Sequence, residues 1–134
     1  MIRVNVRALQ HVSSPIPDGG QNDVRRFYGD VLGLEELPVP HTLDKSSLVW
    51  YAAGDGLELH FFPGEQAPRS ERHFCLNVED LHQVREALEA AGLEPYDTTP
   101  IPNRPRFFCR DPFDNLIEFT TIQGSYLAPG VAGD

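Results

Sequence analysis

The sequence predicts an α+β fold made of two similar halves, each holding a strand, an amphipathic helix and a β-hairpin. Three observations predict it. Strand-like and helix-like periodicities follow one another in the order strand, helix, hairpin, and that order occurs twice along the 134 residues. Both helical stretches end on the same tripeptide, Gly33-Leu34-Glu35 and Gly92-Leu93-Glu94. Between the halves, residues 63–72 hold two prolines, one glycine and five charged or amide side chains, the composition of a connector.

In the first half, Arg7 to Ser14 alternates side-chain character as a strand does, and Pro15 and Pro17 are expected to stop it. Val24, Phe27, Tyr28, Val31 and Leu32 then recur at the spacing of an amphipathic helix, with Asn22 or Asp23 as its cap and Gly33 as its terminator. Leu48 to Ala53 and Leu57 to Phe62 read as a hairpin turned by Gly54-Asp55-Gly56. The second half repeats the plan. His73 to Val78 is a strand, and Asp80 with Gln83 is a capping-box signature. The helix that follows turns Leu81, Val84, Leu88 and Ala91 inward and stops at Gly92. Arg106 to Arg110 and Leu116 to Ile122 form a second hairpin across Asp111-Pro112-Phe113-Asp114-Asn115, and 123–134 is expected to be a loose tail.

Composition excludes several classes. A 40% hydrophobic content over this length suits one compact domain spanning 1–134 with its own core. Eleven Lys and Arg against twenty Asp and Glu give a formal charge of −9, which repels a phosphate backbone, so no nucleic-acid partner is expected. Apolar runs fall far short of the roughly 20 residues of a membrane span, and the first residues lack a secretory pattern, so a cytoplasmic protein without membrane partners is expected. Cys75 and Cys109 have no Cys-x-x-Cys spacing and read as free thiols.

Strand periodicity gathers the chemistry. With Leu57, Leu59 and Phe61 turned to the core, Glu58, His60 and Phe62 take the other face of their strand. By the same argument His73, Cys75 and Asn77 oppose Phe74, Leu76 and Val78, and Glu118 opposes Ile117 and Phe119. His11 takes the equivalent place in the first strand. Four strands thus each offer an imidazole or carboxylate, from His11, Glu58 or His60, His73 and Glu118. A mixed nitrogen and oxygen donor set of this kind suits zinc, nickel, iron, manganese or cobalt in an open site. His41 and His82 have no such placement and read as solvated.

Five stretches carry a resemblance to a known family: Leu9-Gln10-His11-Val12, Arg26 through Leu34, Leu57-Glu58-Leu59-His60, His73 through Leu81, and Asp111 through Glu118. In this order they resemble the vicinal-oxygen-chelate superfamily, in particular its small glyoxalase and bleomycin-resistance members. The resemblance implies paired βαβββ modules, about 7–62 and 72–122, forming an incomplete barrel around a divalent metal ion. It implies His11, His73 and Glu118 as ligands, with His60 favoured over Glu58 as the fourth and Glu58 left as a supporting group or base. The implied activity is a metal-dependent lyase or isomerase acting on a small 2-oxo or 2-hydroxy substrate, with Glu118 or Glu58 moving the proton. Trp50, Phe62 and Phe108 would wall the substrate site, and Arg106 would grip an anionic group. The alternatives are a protein that sequesters an antibiotic without turnover and an extradiol-type dioxygenase. Relatives are commonly homodimers, so a homodimer is expected. Asp114 departs from the pattern, standing where glycine is common.

Overall fold

The computed structural model describes residues 2–127. Two four-stranded open sheets form from eight strands, and each sheet carries its helix in the same place in the chain order. The first sheet holds β1 (His11–Ile16), β2 (Glu36–Leu37), β3 (Val49–Ala52) and β4 (Glu58–Pro63) in the order β1-β4-β3-β2. The second holds β5 (His73–Asn77), β6 (Tyr96–Asp97), β7 (Arg106–Arg110) and β8 (Leu116–Thr120) in the order β5-β8-β7-β6. First and last strands pair parallel in each sheet and the rest antiparallel, so each half is a complete βαβββ module. The chain divides into two compact units between Gln66 and Ala67, inside the expected connector, with Asp30–Leu32 grouped with the second.

Several boundaries differ from the sequence reading. Residues 7–10 lie outside β1, and the strand runs on through Pro15 to Ile16. Proline is tolerated there because β1 is at the edge of its sheet, where a missing N–H breaks no ladder bond. The two-residue strands β2 and β6 are too short for any periodicity to announce. The first helix begins earlier than expected, at Gln21, behind Gly20, and no side chain caps it. After one α-helical turn, Gln21–Val24 (α1), it widens into a π-helical segment, Arg25–Val31.

The shared Gly-Leu-Glu ending has a physical basis. In α2 (Leu81–Ala90), Leu93 N–H reaches Leu88 O at 3.0 Å and Gly92 N–H reaches Glu89 O at 3.0 Å, with Gly92 at φ +83°. That is the Schellman closure, which needs the left-handed conformation glycine takes without strain. At the first helix Gly33 sits at φ +73°, and Leu34 N–H reaches back to Tyr28 O at 2.9 Å. The loop is one residue wider there, as the π-helical turn requires. Asp80 caps α2 as its spacing foretold, accepting from the backbone N–H of His82 and Gln83. Ala91, expected on the inner face, is exposed because the helix ends one residue before it.

The first unit's core is Ile16, Val24, Phe27, Tyr28, Val49, Tyr51, Leu59 and Phe61. Tyr28 packs on Phe61 with ring centroids 4.6 Å apart. Leu88, Phe107, Cys109, Leu116, Ile117 and Phe119 make the second core, with the Phe107 and Phe119 rings stacked at 5.2 Å. Each large side chain buried this way contributes about 1.5–3 kcal/mol, which pins the strand phase and hence the direction of every polar neighbour. Both cysteines are free. Among the described residues no helix is long and apolar enough to cross a membrane.

Asp114 takes φ +67°, a left-handed turn that aspartate tolerates better than most residues. The tail is tied down as far as it is described: Gln123 N–H donates to Asn103 O, Asn103 Nδ2 to Ser125 O, and the Arg104 guanidinium lies over the Tyr126 ring. Residues 128–134, the rest of the expected loose tail, lie outside the described residues.

Candidate functional site

In the first unit, β1 and β4 place His11 directly beside Glu58, and β3 places Trp50 directly beside His60. With Leu59 and Phe61 buried, Glu58 and His60 are held on the opposite face. Their side chains meet there: His60 Nε2 lies 2.7 Å from Glu58 Oε1. The imidazole is clamped between two rings, Trp50 at 3.8 Å and 3° on one contact and His11 at 4.1 Å and 17° on the other. The hydrogen bond from His60 holds the Glu58 carboxyl below the ordinary carboxylate range, opposed by burial and aided by Gln10 and the nearby imidazoles. Phe62 follows on the same strand face, partly exposed, against Gly64, where a Cβ would come within 2.9 Å of the phenyl ring.

The second unit builds a counterpart with different chemistry. His73 and Cys75 project from β5, and Glu118 on β8 is the direct register partner of both Cys75 and Phe108. His73 Nε2 stands 3.2 Å from Glu118 Oε1, and its Nδ1 stands 3.0 Å from the backbone carbonyl of Glu71. Phe108 meets the His73 ring edge-on at 5.0 Å. Arg106 gives Nη1 to Glu118 Oε2 at 3.4 Å and directs Nε and Nη2 to the Thr99 carbonyl at 3.1 and 2.8 Å. Its guanidinium is thus engaged on all three nitrogens, and a substrate anion would have to exchange for one of these contacts. Burial pushes the Cys75 thiol up to about 11, with Glu118 adding to the effect, so it is a neutral thiol at ordinary pH.

The two registers can be laid over one another. Trp50 faces His60 where Phe108 faces Glu118, and His11 sits two register pairs before His60 as His73 sits two before Glu118. By this correspondence His60 takes the place of Glu118, and Glu58 takes the place of the buried Leu116. His82 is exposed beside Glu86, and His41 is exposed, as expected of solvated imidazoles.

The donor chemistry of the second pair bears on a metal ion. A backbone carbonyl only accepts, so His73 carries a proton on Nδ1, and in the neutral ring it is the Nε2 lone pair that faces Glu118. At 3.2 Å a proton or a metal cation between Nε2 and Oε1 satisfies both atoms, so the pair offers one nitrogen and one oxygen donor of the kind a divalent ion takes. Among the described residues no three His, Cys, Asp or Glu side chains are grouped as a metal site. Gln10 and the carbonyls of Glu71 and Thr99 complete the surroundings. Sequence reasoning missed all three, since a backbone acceptor leaves no side-chain signature, although the amide beside His11 was visible.

The glyoxalase/bleomycin resistance protein/dioxygenase superfamily model matches residues 8–119. No curated protein matches the chain. Among solved structures, a protein from Bacillus anthracis described as of the glyoxalase family is 30% identical, with 90% of this chain and 99% of that one covered and a TM-score of 0.80. An antibiotic binding protein, TnmS3, from a Streptomyces species is 20% identical over 90% and 99% of the two chains, with a TM-score of 0.70. The fosfomycin resistance protein FosX from Listeria monocytogenes, solved with Mn(II) and sulfate, is 17% identical over 87% and 91%, with a TM-score of 0.70. The last two show a shared fold. With the matching model spanning both βαβββ modules, the chain belongs to the glyoxalase/bleomycin resistance protein/dioxygenase superfamily.

Proposed function

We propose that the protein is a divalent-metal-dependent lyase or isomerase of the glyoxalase type, acting on a small 2-oxo or 2-hydroxy compound. The observation that carries this reading is the His73–Glu118 contact, a ring nitrogen held 3.2 Å from a carboxylate oxygen by an imidazole whose other nitrogen is already committed. His11, His60, His73 and Glu118 would hold the ion, the register supporting His60 over Glu58. Bound there, the ion would supply Lewis-acid polarisation of adjacent substrate oxygens. A carboxylate, Glu118 or Glu58, takes a proton from the carbon beside a carbonyl and returns it to the neighbouring atom. Glu58 is kept ionised for this by His60 and Gln10. Trp50, Phe62 and Phe108 supply apolar faces for the substrate, and Arg106 an anionic contact once freed from Thr99. The reading includes a cytoplasmic homodimer, whose assembly sedimentation tests.

The test is metal analysis of protein purified without an affinity tag, followed by a screen of 2-oxo and 2-hydroxy compounds with zinc, nickel, iron, manganese or cobalt restored. Turnover restored by a metal and lost in His73→Ala and Glu118→Ala is the expected result. A protein that takes up none of these ions overturns it. A second reading, sequestration without turnover, is favoured by the flat Trp50–His60–His11 stack, a ready platform for a planar aromatic ligand. The antibiotic-binding description of one neighbour supports it too. Ligand binding undiminished in metal-free protein would select it.

A further inference from the structure

We infer that Gln10 is a positioning residue for His11, fixing which ring nitrogen the imidazole offers to a divalent ion; the inference rests on the metal-dependent reading above. Gln10 Oε1 lies 2.6 Å from His11 Nδ1. Its other amide atom, Nε2, reaches the Gly56 carbonyl at a long 3.4 Å. A carbonyl only accepts, so the amide turns its NH2 to Gly56 and its oxygen to His11. An amide oxygen in turn accepts only, so His11 carries a proton on Nδ1, and in the neutral ring Nε2 keeps its lone pair.

The second unit reaches the same state by another route, since His73 Nδ1 donates to the Glu71 carbonyl two residues upstream. Both first-strand histidines are therefore set to the Nδ1–H form with Nε2 as donor atom, one by backbone and one by Gln10. In β1 the acceptor at His11 Nδ1 is the Gln10 side chain, while the Gln10 carbonyl accepts from Glu58 N–H at 2.9 Å, as the parallel ladder requires. A side-chain amide supplies the acceptor that the backbone supplies in the other half. Ring orientation set in this way is what raises a histidine's worth as a metal ligand.

The experiment uses the full chain labelled with 15N, at alkaline pH where imidazoles are neutral, and reads His11 tautomers by ring nitrogen shifts, followed by zinc titration against a chromophoric chelator. In the native protein His11 should show a protonated Nδ1. Gln10→Ala and Gln10→Leu should move it toward the Nε2–H form and weaken zinc binding by about tenfold to a hundredfold. Gln10→Glu, which keeps the acceptor, should restore both. Repeating Gln10→Ala in a Glu58→Gln background separates an effect through Glu58 from one through His11: a persisting loss supports the inference, and a vanishing loss overturns it. An unchanged tautomer, or a changed one with unchanged affinity, also overturns it while leaving the metal reading intact. Zinc affinity unchanged in His11→Ala would instead remove the metal reading, and this inference with it.

Discussion

Replacing His60 by Ala and, separately, Glu58 by Gln decides which of two neighbouring side chains holds the ion. Their Nε2 and Oε1 atoms are 2.7 Å apart, so proximity alone cannot choose. The register does, because His60 lies opposite Trp50 as Glu118 lies opposite Phe108. A full protein ligand set for zinc is worth about 10–16 kcal/mol, so one ligand in four carries about 3–4 kcal/mol, or two to three decades of affinity. Glu58 acts by orienting the imidazole, and loss of such a partner costs about one to two decades. His60→Ala should therefore weaken zinc binding about tenfold more than Glu58→Gln. Competition titration measures this, and Trp50 gives a second readout. It is the chain's one tryptophan and lies flat on His60 at 3.8 Å, so cobalt or nickel binding should quench its emission, and His60→Ala should abolish the response. A larger loss of affinity in Glu58→Gln would refute the register argument and make the carboxylate the ligand.

Three further outcomes follow from the packing. Gly29→Ala should lower urea stability by about 1–2 kcal/mol, because the new Cβ would lie 2.9 Å from the buried Tyr51 hydroxyl, and overpacking outweighs the helix-propensity gain of about 1 kcal/mol. Burial pushes the Cys109 thiol up to about 11 from an ordinary 9.0, so the stability it contributes is full below pH 9 and is lost as pH rises through about 11. Cys109→Ala should flatten that alkaline decline, as pH-dependent denaturation would record. Asp111→Ala should cost about 2–4 kcal/mol, since its buried carboxylate accepts from Phe113 N–H, Asn115 N–H and Asn115 Nδ2, and thermal unfolding would show it.

What was legible in the sequence is what a period of two encodes. Leu59 and Phe61 against Glu58 and His60, and Ile117 and Phe119 against Glu118, were visible because burial drives alternation and alternation fixes facing. The same signal said nothing of β2 and β6, whose two residues cannot show a period, nor of the π-helical turn. Val24, Phe27 and Tyr28 fit an α-helical stripe equally well. Pro15 misled for a reason the sequence does not carry, namely that β1 ends up at a sheet edge. At the candidate site the side chains were readable and their settings were not. The tautomer of His73 rests on a carbonyl, and that of His11 on which way an amide is turned.

The repeat keeps its scaffold and varies its chemistry, and the places where it varies are informative. Core pairs are conserved in kind: Val49 faces Phe61 where Phe107 faces Phe119. On the polar face the same two register positions carry Trp50 with His60 in one half and Phe108 with Glu118 in the other. Ser13 beside His60 becomes Cys75 beside Glu118, and Glu58 becomes the buried Leu116. A fold that needed only stability would gain nothing from exchanging a stacked imidazole for an Arg-paired carboxylate at equivalent points. The two halves therefore offer different chemistry to a ligand. The first half presents flat π surface and an ionised Glu58 beside its histidines, and the second a guanidinium and an edge-on phenyl ring beside its own. Swapping the pair, with Trp50→Phe and His60→Glu in one half and Phe108→Trp and Glu118→His in the other, should leave the fold intact because every exchanged side chain lies off the core face. Metal uptake should survive the swap and turnover should not. Full activity in the swapped protein would show that the two halves act as interchangeable ligand donors and that the substrate does not read their difference.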